Sequence, residues 1–199
     1  MIRSKEFNEK YFSSGIYKDY KKLLAEWIEP VARKIYYIVK KNPSTKILDI
    51  GCAQGYLIAE LQNKYNFDVN GLEYSAYAIQ KADKSVSRKI KNGNILNPSF
   101  PSNSFDVVIC FDVVSHLTLE ETTKAIKNLV NITKDYIFFS TIYRHSYWAS
   151  QKYNPDLLRR ATLSKKEYID MFSKNKARLV KEFYGENGGS ILVFRKLSM

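Results

Sequence analysis

The run Ile47-Leu48-Asp49-Ile50-Gly51-Cys52-Ala53-Gln54-Gly55 constrains this chain more than any other. A short apolar stretch reads as a buried strand with the acid Asp49 near its end. Glycines then flank a turn, and Tyr56-Leu57-Ile58-Ala59-Glu60-Leu61 opens a helix. Such a turn lets backbone come close to a ligand, and the free N–H groups of the first helical turn point at it. The next predicted strand ends in Val69-Asn70-Gly71-Leu72-Glu73, setting a carboxylate where it can accept hydrogen bonds from a ribose diol. The pattern predicts a βαβ unit that holds an adenosine-containing cofactor.

The turn reads G-x-x-x-G, with Ala53 where a nicotinamide site would carry its middle glycine. Asp49 would repel a pyrophosphate but suits a cationic amino-acid moiety, which favours S-adenosylmethionine with its sulfonium and ammonium. A later segment, Phe105-Asp106-Val107-Val108-Ile109-Cys110-Phe111-Asp112, adds a second buried strand that leaves an acid at its end. Together these motifs resemble the class I S-adenosylmethionine-dependent methyltransferases of the Rossmann-like kind, over roughly residues 45 to 142.

The resemblance implies roles at particular residues. Asp49, Gly51, Cys52 and Gly55 would hold the methionine portion, with Asp49 facing the ammonium, and Glu73 would take the ribose. Tyr74 would lie flat against the adenine. Asn94 stands where such proteins commonly carry an acid, and keeps an acceptor oxygen for the adenine amino group. Ile95 would offer its backbone N–H and side chain to the base, and the Phe111 carbonyl would accept from the cofactor ammonium. Asp106, at the strand entrance, reads as structural.

Methyl transfer from a sulfonium is an in-line displacement that needs no metal; alignment and exclusion of water do most of the work. An amine or hydroxyl acceptor must also lose a proton. The candidate bases are His116 and His145, the two histidines of the chain, and Asp112. The segment 143–160 interleaves Tyr143, Tyr147, Trp148 and Tyr153 with Arg144, His145, Lys152, Arg159 and Arg160, types that stack on rings and grip phosphate or carboxylate.

At 199 residues, 45% of them apolar, the chain has the size and composition of one globular domain. Alternating patterns predict an α/β three-layer sandwich: a mostly parallel seven-stranded sheet ending in an antiparallel hairpin, plus an N-terminal helical lid. Residues 1–43 would form that lid and residues 44–199 the core. Strands are expected at 46–50, 68–72, 88–92, 105–111, 134–142, 178–184 and 190–195, and helices at 55–65, 75–84, 119–131 and 165–174. Ser164 is expected to cap the last helix, and residues 185–189 to turn the final hairpin. Before the core, Tyr17 to Lys41 reads as helix, split or kinked by Pro30, and Asn42-Pro43-Ser44 as its stop; the stretch 11–17 reads as loop.

Net charge is +12, carried on the flanks: residues 1–44 hold 10 Lys/Arg against 5 Asp/Glu, residues 45–142 hold 10 of each, and residues 143–199 hold 12 against 5. A basic acceptor side would draw anionic partners, although the same excess also serves solubility. With two cysteines, no secretory signal and no apolar run of the ~20 residues that a membrane span needs, a cytoplasmic location is expected. The sequence thus points to methylation of a small polar or anionic metabolite, such as a sugar or nucleotide-linked intermediate. Alternatives are methylation of RNA or protein on the 143–160 face, a non-catalytic binder of the cofactor, and a dehydrogenase.

Overall fold

The computed structural model describes residues 4–14, 17–18, 20–39, 44–146, 149, 156, 158–160, 163–184 and 190–197. Five strands run in parallel: β1 (Lys46–Ile50), β2 (Asp68–Glu73), β3 (Ile90–Asn92), β4 (Phe105–Phe111) and β5 (Thr133–Ser140). With β6 (Ala177–Tyr184) and β7 (Ser190–Lys196) they form one sheet in the order β3-β2-β1-β4-β5-β7-β6. β7 is antiparallel to both neighbours, inserted between β5 and β6. The order reverses between β1 and β4, so a crevice opens beyond the carboxyl ends of these two strands, the position where open α/β sheets bind ligands.

The central strands are apolar at almost every position because both faces are covered. Odd-numbered residues of β1 and β4 (Ile47, Val107, Ile109) face a layer made by α2 (Tyr20–Val39) and α3 (Tyr56–Tyr65). Even-numbered residues (Leu48, Ile50, Val108) face α5 (Leu119–Ile132) and α6 (Lys165–Lys174). Thr118 and Glu121 form a reciprocal capping box at the start of α5, as Ser164 and Glu167 do at α6. The expected cap at Ser164 is therefore present.

Several expected boundaries move. Pro30 lies inside α2 without splitting it, and the helix starts at Tyr20, leaving Tyr17 outside. Burial of Val31, Ala32 and Ile35 against the sheet layer holds the helix through a residue that lacks an N–H donor. The stretch expected as loop contains a short helix, α1 (Glu9–Ser13), whose first turn is capped by the Asn8 side chain accepting from the Tyr11 N–H. The helix expected at 75–84 shrinks to α4 (Ala76–Gln80), capped by Ser75, and the chain then turns so that the Asp83 N–H donates to the Gln54 carbonyl (2.8 Å). A 3-10 turn at Ser87–Lys89 replaces the first part of the strand expected at 88–92. The Asn42-Pro43 stop and the 185–189 hairpin connection lie outside the described residues.

Candidate active site

The turn after β1 is wound in the left-handed region at three alternate residues: Gly51 at φ +74°, Ala53 at +49° and Gly55 at +76°. The chain's own packing requires both glycines. A Cβ at Gly51 would sit 2.3 Å from Val113 Cγ2, and one at Gly55 would sit 2.8 Å from Ile90 Cδ1. Ala53 takes the same region with a methyl group, at a cost of about 1 kcal/mol. Cys52 turns its side chain inward, towards Gly71 and Ile90, and burial raises its thiol pKa, so only its backbone faces the turn.

Glu73 braces this turn. Its Oε2 accepts from the Ala53 N–H (2.7 Å) and its Oε1 from the Ser75 N–H (2.6 Å). Each oxygen keeps a lone pair, so the carboxylate can still accept from a diol. Asp49 and Glu73 are both buried in the same crevice. Burial first, and then the charge of Glu73, push the Asp49 carboxyl well above the usual carboxylate range. Burial also raises Glu73, against the lowering effect of its backbone donors. Among the described residues no basic group figures among the influences on either acid.

The other residues expected at the cofactor have distinct local surroundings. Tyr74 follows Glu73, half-buried, with its carbonyl accepting from Asn92 Nδ2 (3.4 Å). The Asn94 side-chain oxygen accepts from the Leu96 N–H (2.9 Å), closing a local turn. The Ile95 side chain is buried in the α5-side core and its carbonyl accepts from Asn128 Nδ2 (2.8 Å). Phe111 stands edge-on to Trp27 of α2, with centroids 5.4 Å apart.

Beyond β4 the chain passes Asp112, a non-glycine residue at φ +55° whose N–H donates to the Ser140 carbonyl (2.9 Å). Asp112 is open to solvent yet crowded by protein, which raises its carboxyl pKa to about 6 against the lowering pull of Arg159. The following 3-10 turn, Val114–His116, presents His116, whose imidazole is held below its ordinary pKa by burial, opposed by Asp156. The His116 ring is edge-on to Phe7, with centroids 5.3 Å apart, and its Nε2 lies 3.6 Å from Asp156 Oδ2. The Tyr11 and Tyr17 hydroxyls donate to the same oxygen at 3.1 and 3.2 Å. The N-terminal segment thus crosses the crevice: Ser75 Oγ donates to the Phe7 carbonyl, and Phe12 packs on Ala53 and Ala78.

His145 is brought into none of these contacts among the described residues; it is exposed in the turn after β5 at φ +64°. The aromatic and basic face expected over 143–160 also loses members. Tyr143 is buried, with its hydroxyl donating to the Ser190 carbonyl (3.4 Å), and burial pushes its phenol up to about 12. Tyr147, Trp148, Lys152 and Tyr153 lie outside the described residues. Sequence reasoning gave no role to Tyr11, Tyr17 or Asp156; the aromatic stretch before α2 and the lone acid of 143–160 were the available signals.

Residues 47–136 match the sequence model of a methyltransferase domain. Over that stretch the chain is similar to S-adenosylmethionine-dependent methyltransferases. Among curated methyltransferases, it is 28% identical over 154 residues to the phosphoethanolamine N-methyltransferase of Plasmodium falciparum, covering 75% of this chain and 52% of that protein. It is 28% identical over 91 residues to the nocamycin O-methyltransferase of Saccharothrix syringae, covering 42% of this chain and 32% of that protein. The chain therefore spans about half the length, or less, of these relatives. In fold it is similar to the S-adenosylmethionine-bound magnesium protoporphyrin IX methyltransferase of Synechocystis, with TM-score 0.72, 15% identity and 99% of each chain covered.

The crevice fits the methyltransferase cofactor on its chemistry. Two buried carboxyls with no basic neighbour among the described residues suit a ligand bearing a cationic ammonium and sulfonium and a hydrogen-bond-donating diol. Among the described residues no group of acids, histidines and cysteines could hold a metal, and no helix is long and apolar enough to cross a membrane.

Proposed function

We propose that this chain methylates a small polar acceptor carrying an anionic group, bound at the mouth between the end of β4 and the N-terminal segment. The observation that carries this reading is the pairing of the Asp49–Glu73 crevice with an adjoining mouth that holds Asp112, His116 and Arg159. S-adenosylmethionine supplies the methyl group on a sulfonium.

Asp49 and the Phe111 carbonyl hold the ammonium end, and the turn from Gly51 to Gly55 follows the methionine chain. Glu73 grips the ribose, Tyr74 covers the adenine, and Asn94 with the Ile95 N–H meets the edge of the base. On the acceptor side, the lowered pKa of His116 leaves it neutral near pH 7, able to accept a proton from an amine or hydroxyl. Asp112 is largely ionised at that pH and orients a donor group. Arg159, whose charge lowers the pKa values of both Asp112 and His116, faces the acceptor's anionic end. The relative named for phosphoethanolamine has a substrate of this type, an amine on a phosphate. Phe7, Tyr11 and Tyr17 close the mouth, while the second half of α2 completes a layer of the core.

The test is transfer from methyl-labelled S-adenosylmethionine to a panel of phosphorylated and carboxylated amines and alcohols, with neutral analogues and RNA beside them. Label on an anionic small molecule, lost with its neutral analogue, supports the reading. Label on RNA alone, or tight cofactor binding with no transfer, overturns it.

A further inference from the structure

Three stretches distant in sequence, 11–17, 116 and 156–158, meet at one carboxylate. Asp156 is buried; the Leu158 N–H donates to its Oδ1 (3.0 Å), and its Oδ2 accepts from both Tyr11 (3.1 Å) and Tyr17 (3.2 Å). The His116 Nε2, 3.6 Å from that oxygen, is too far for a hydrogen bond but within ion-pair reach. The Nδ1 side of the ring is buried, which leaves Nε2 as the nitrogen able to gain a proton. A buried imidazole that becomes a cation needs a fixed counter-charge, and the two phenols hold this one in place.

We infer that Asp156 is a positioning residue: anchored by the Tyr11 and Tyr17 hydroxyls, it is held as a fixed counter-charge beside His116 and stabilises the imidazolium formed during methyl transfer. The inference rests on His116 as the base. The acceptor's lone pair bonds to the methyl carbon while the carbon–sulfur bond breaks, its electron pair staying on sulfur. The acceptor proton passes to His116 Nε2, and Asp156 remains ionised opposite it. The charged or titratable groups that face His116 are Asp156 and Arg159 from the 156–160 segment, Tyr11 from α1, and Tyr17.

The test reads His116 directly. The chain has two histidines, so a titration of histidine-labelled protein by carbon–proton NMR resolves them, with His145→Gln for assignment. In Asp156→Asn, burial and Arg159 are opposed only by the Leu158 backbone, and the His116 midpoint falls by about one unit or more while His145 stays. Removing a phenol donor frees the carboxylate for the imidazole, so Tyr11→Phe and Tyr17→Phe each raise the His116 midpoint. An unmoved His116 midpoint in folded Asp156→Asn overturns the inference. If that variant does not fold, the absence of a rise in both phenylalanine variants does so. Neither donor nor acceptor is needed, so this failure is distinct from failure of methyl transfer. With an acceptor in hand, Asp156→Asn should also lower kcat and move the acid limb of the pH profile by the same interval, leaving the cofactor Kd unchanged.

Discussion

Replacing Glu73 with glutamine separates what this side chain does for the fold from what it does for a ligand. The glutamate accepts two buried backbone N–H groups, from Ala53 at 2.7 Å and Ser75 at 2.6 Å. Glutamine has one acceptor oxygen, so one of these donors would face an NH2 group, and leaving it unsatisfied costs about 1–3 kcal/mol of stability. The ribose diol would meanwhile lose a charge-assisted acceptor, worth a further 1–3 kcal/mol or so in binding, which is about a 5- to 150-fold rise in Kd. Calorimetry should find that rise for S-adenosylmethionine and, because the diol is shared, a similar one for adenosine alone. Urea melts report the stability component separately. A clear loss of stability with both dissociation constants unchanged would refute the reasoning and leave Glu73 as a brace for the turn.

Other outcomes follow from neighbouring geometry. Gly51→Ala should destabilise by about 2–4 kcal/mol, from a left-handed φ and a collision with Val113; adding Val113→Ala should return the collision part only, and strict additivity in the double-mutant cycle would argue against it. Asp49, raised by burial and by Glu73, should lose its proton as a cation settles beside it. The binding enthalpy of S-adenosylmethionine should then vary with the ionisation heat of the buffer, and identical enthalpies in phosphate and Tris would count against this. Asp112 binds more protons folded than unfolded between its ordinary 3.8 and about 6. Its contribution to stability is therefore present below that window and lost as pH rises through it. Asp112→Asn should flatten this part of a Tm-against-pH curve; an unchanged curve would remove Asp112 from the effect.

Much of the fold could be read in the sequence because its signals are local. Ile47 to Ile50 and Phe105 to Phe111 are apolar at almost every position, as strands covered on both faces must be. The acids Asp49 and Glu73 also declared themselves, since each stands at a strand end beside a turn. What the sequence hid depends on distance along the chain. Tyr11 and Asp156 are 145 residues apart, and no periodicity relates them. α1 is five residues long, too short to show a helical repeat. Pro30 reads as a breaker, yet Val31, Ala32 and Ile35 anchor the helix through it by burial that only the tertiary fold supplies. The need for glycine at 51 and 55 also proved to lie partly in Val113 and Ile90, contacts that a motif does not display.

The crowding of Asp49 against Glu73 has a bearing on turnover. In the proposed transfer the sulfonium would become a neutral thioether, and the spent molecule would carry one positive charge fewer in the same acidic cleft. Mutual repulsion between the two acids, relieved while the charged donor sits there, partly returns. On the proposed reading, such a cleft would hold fresh donor more firmly than its by-product and would help the by-product to leave.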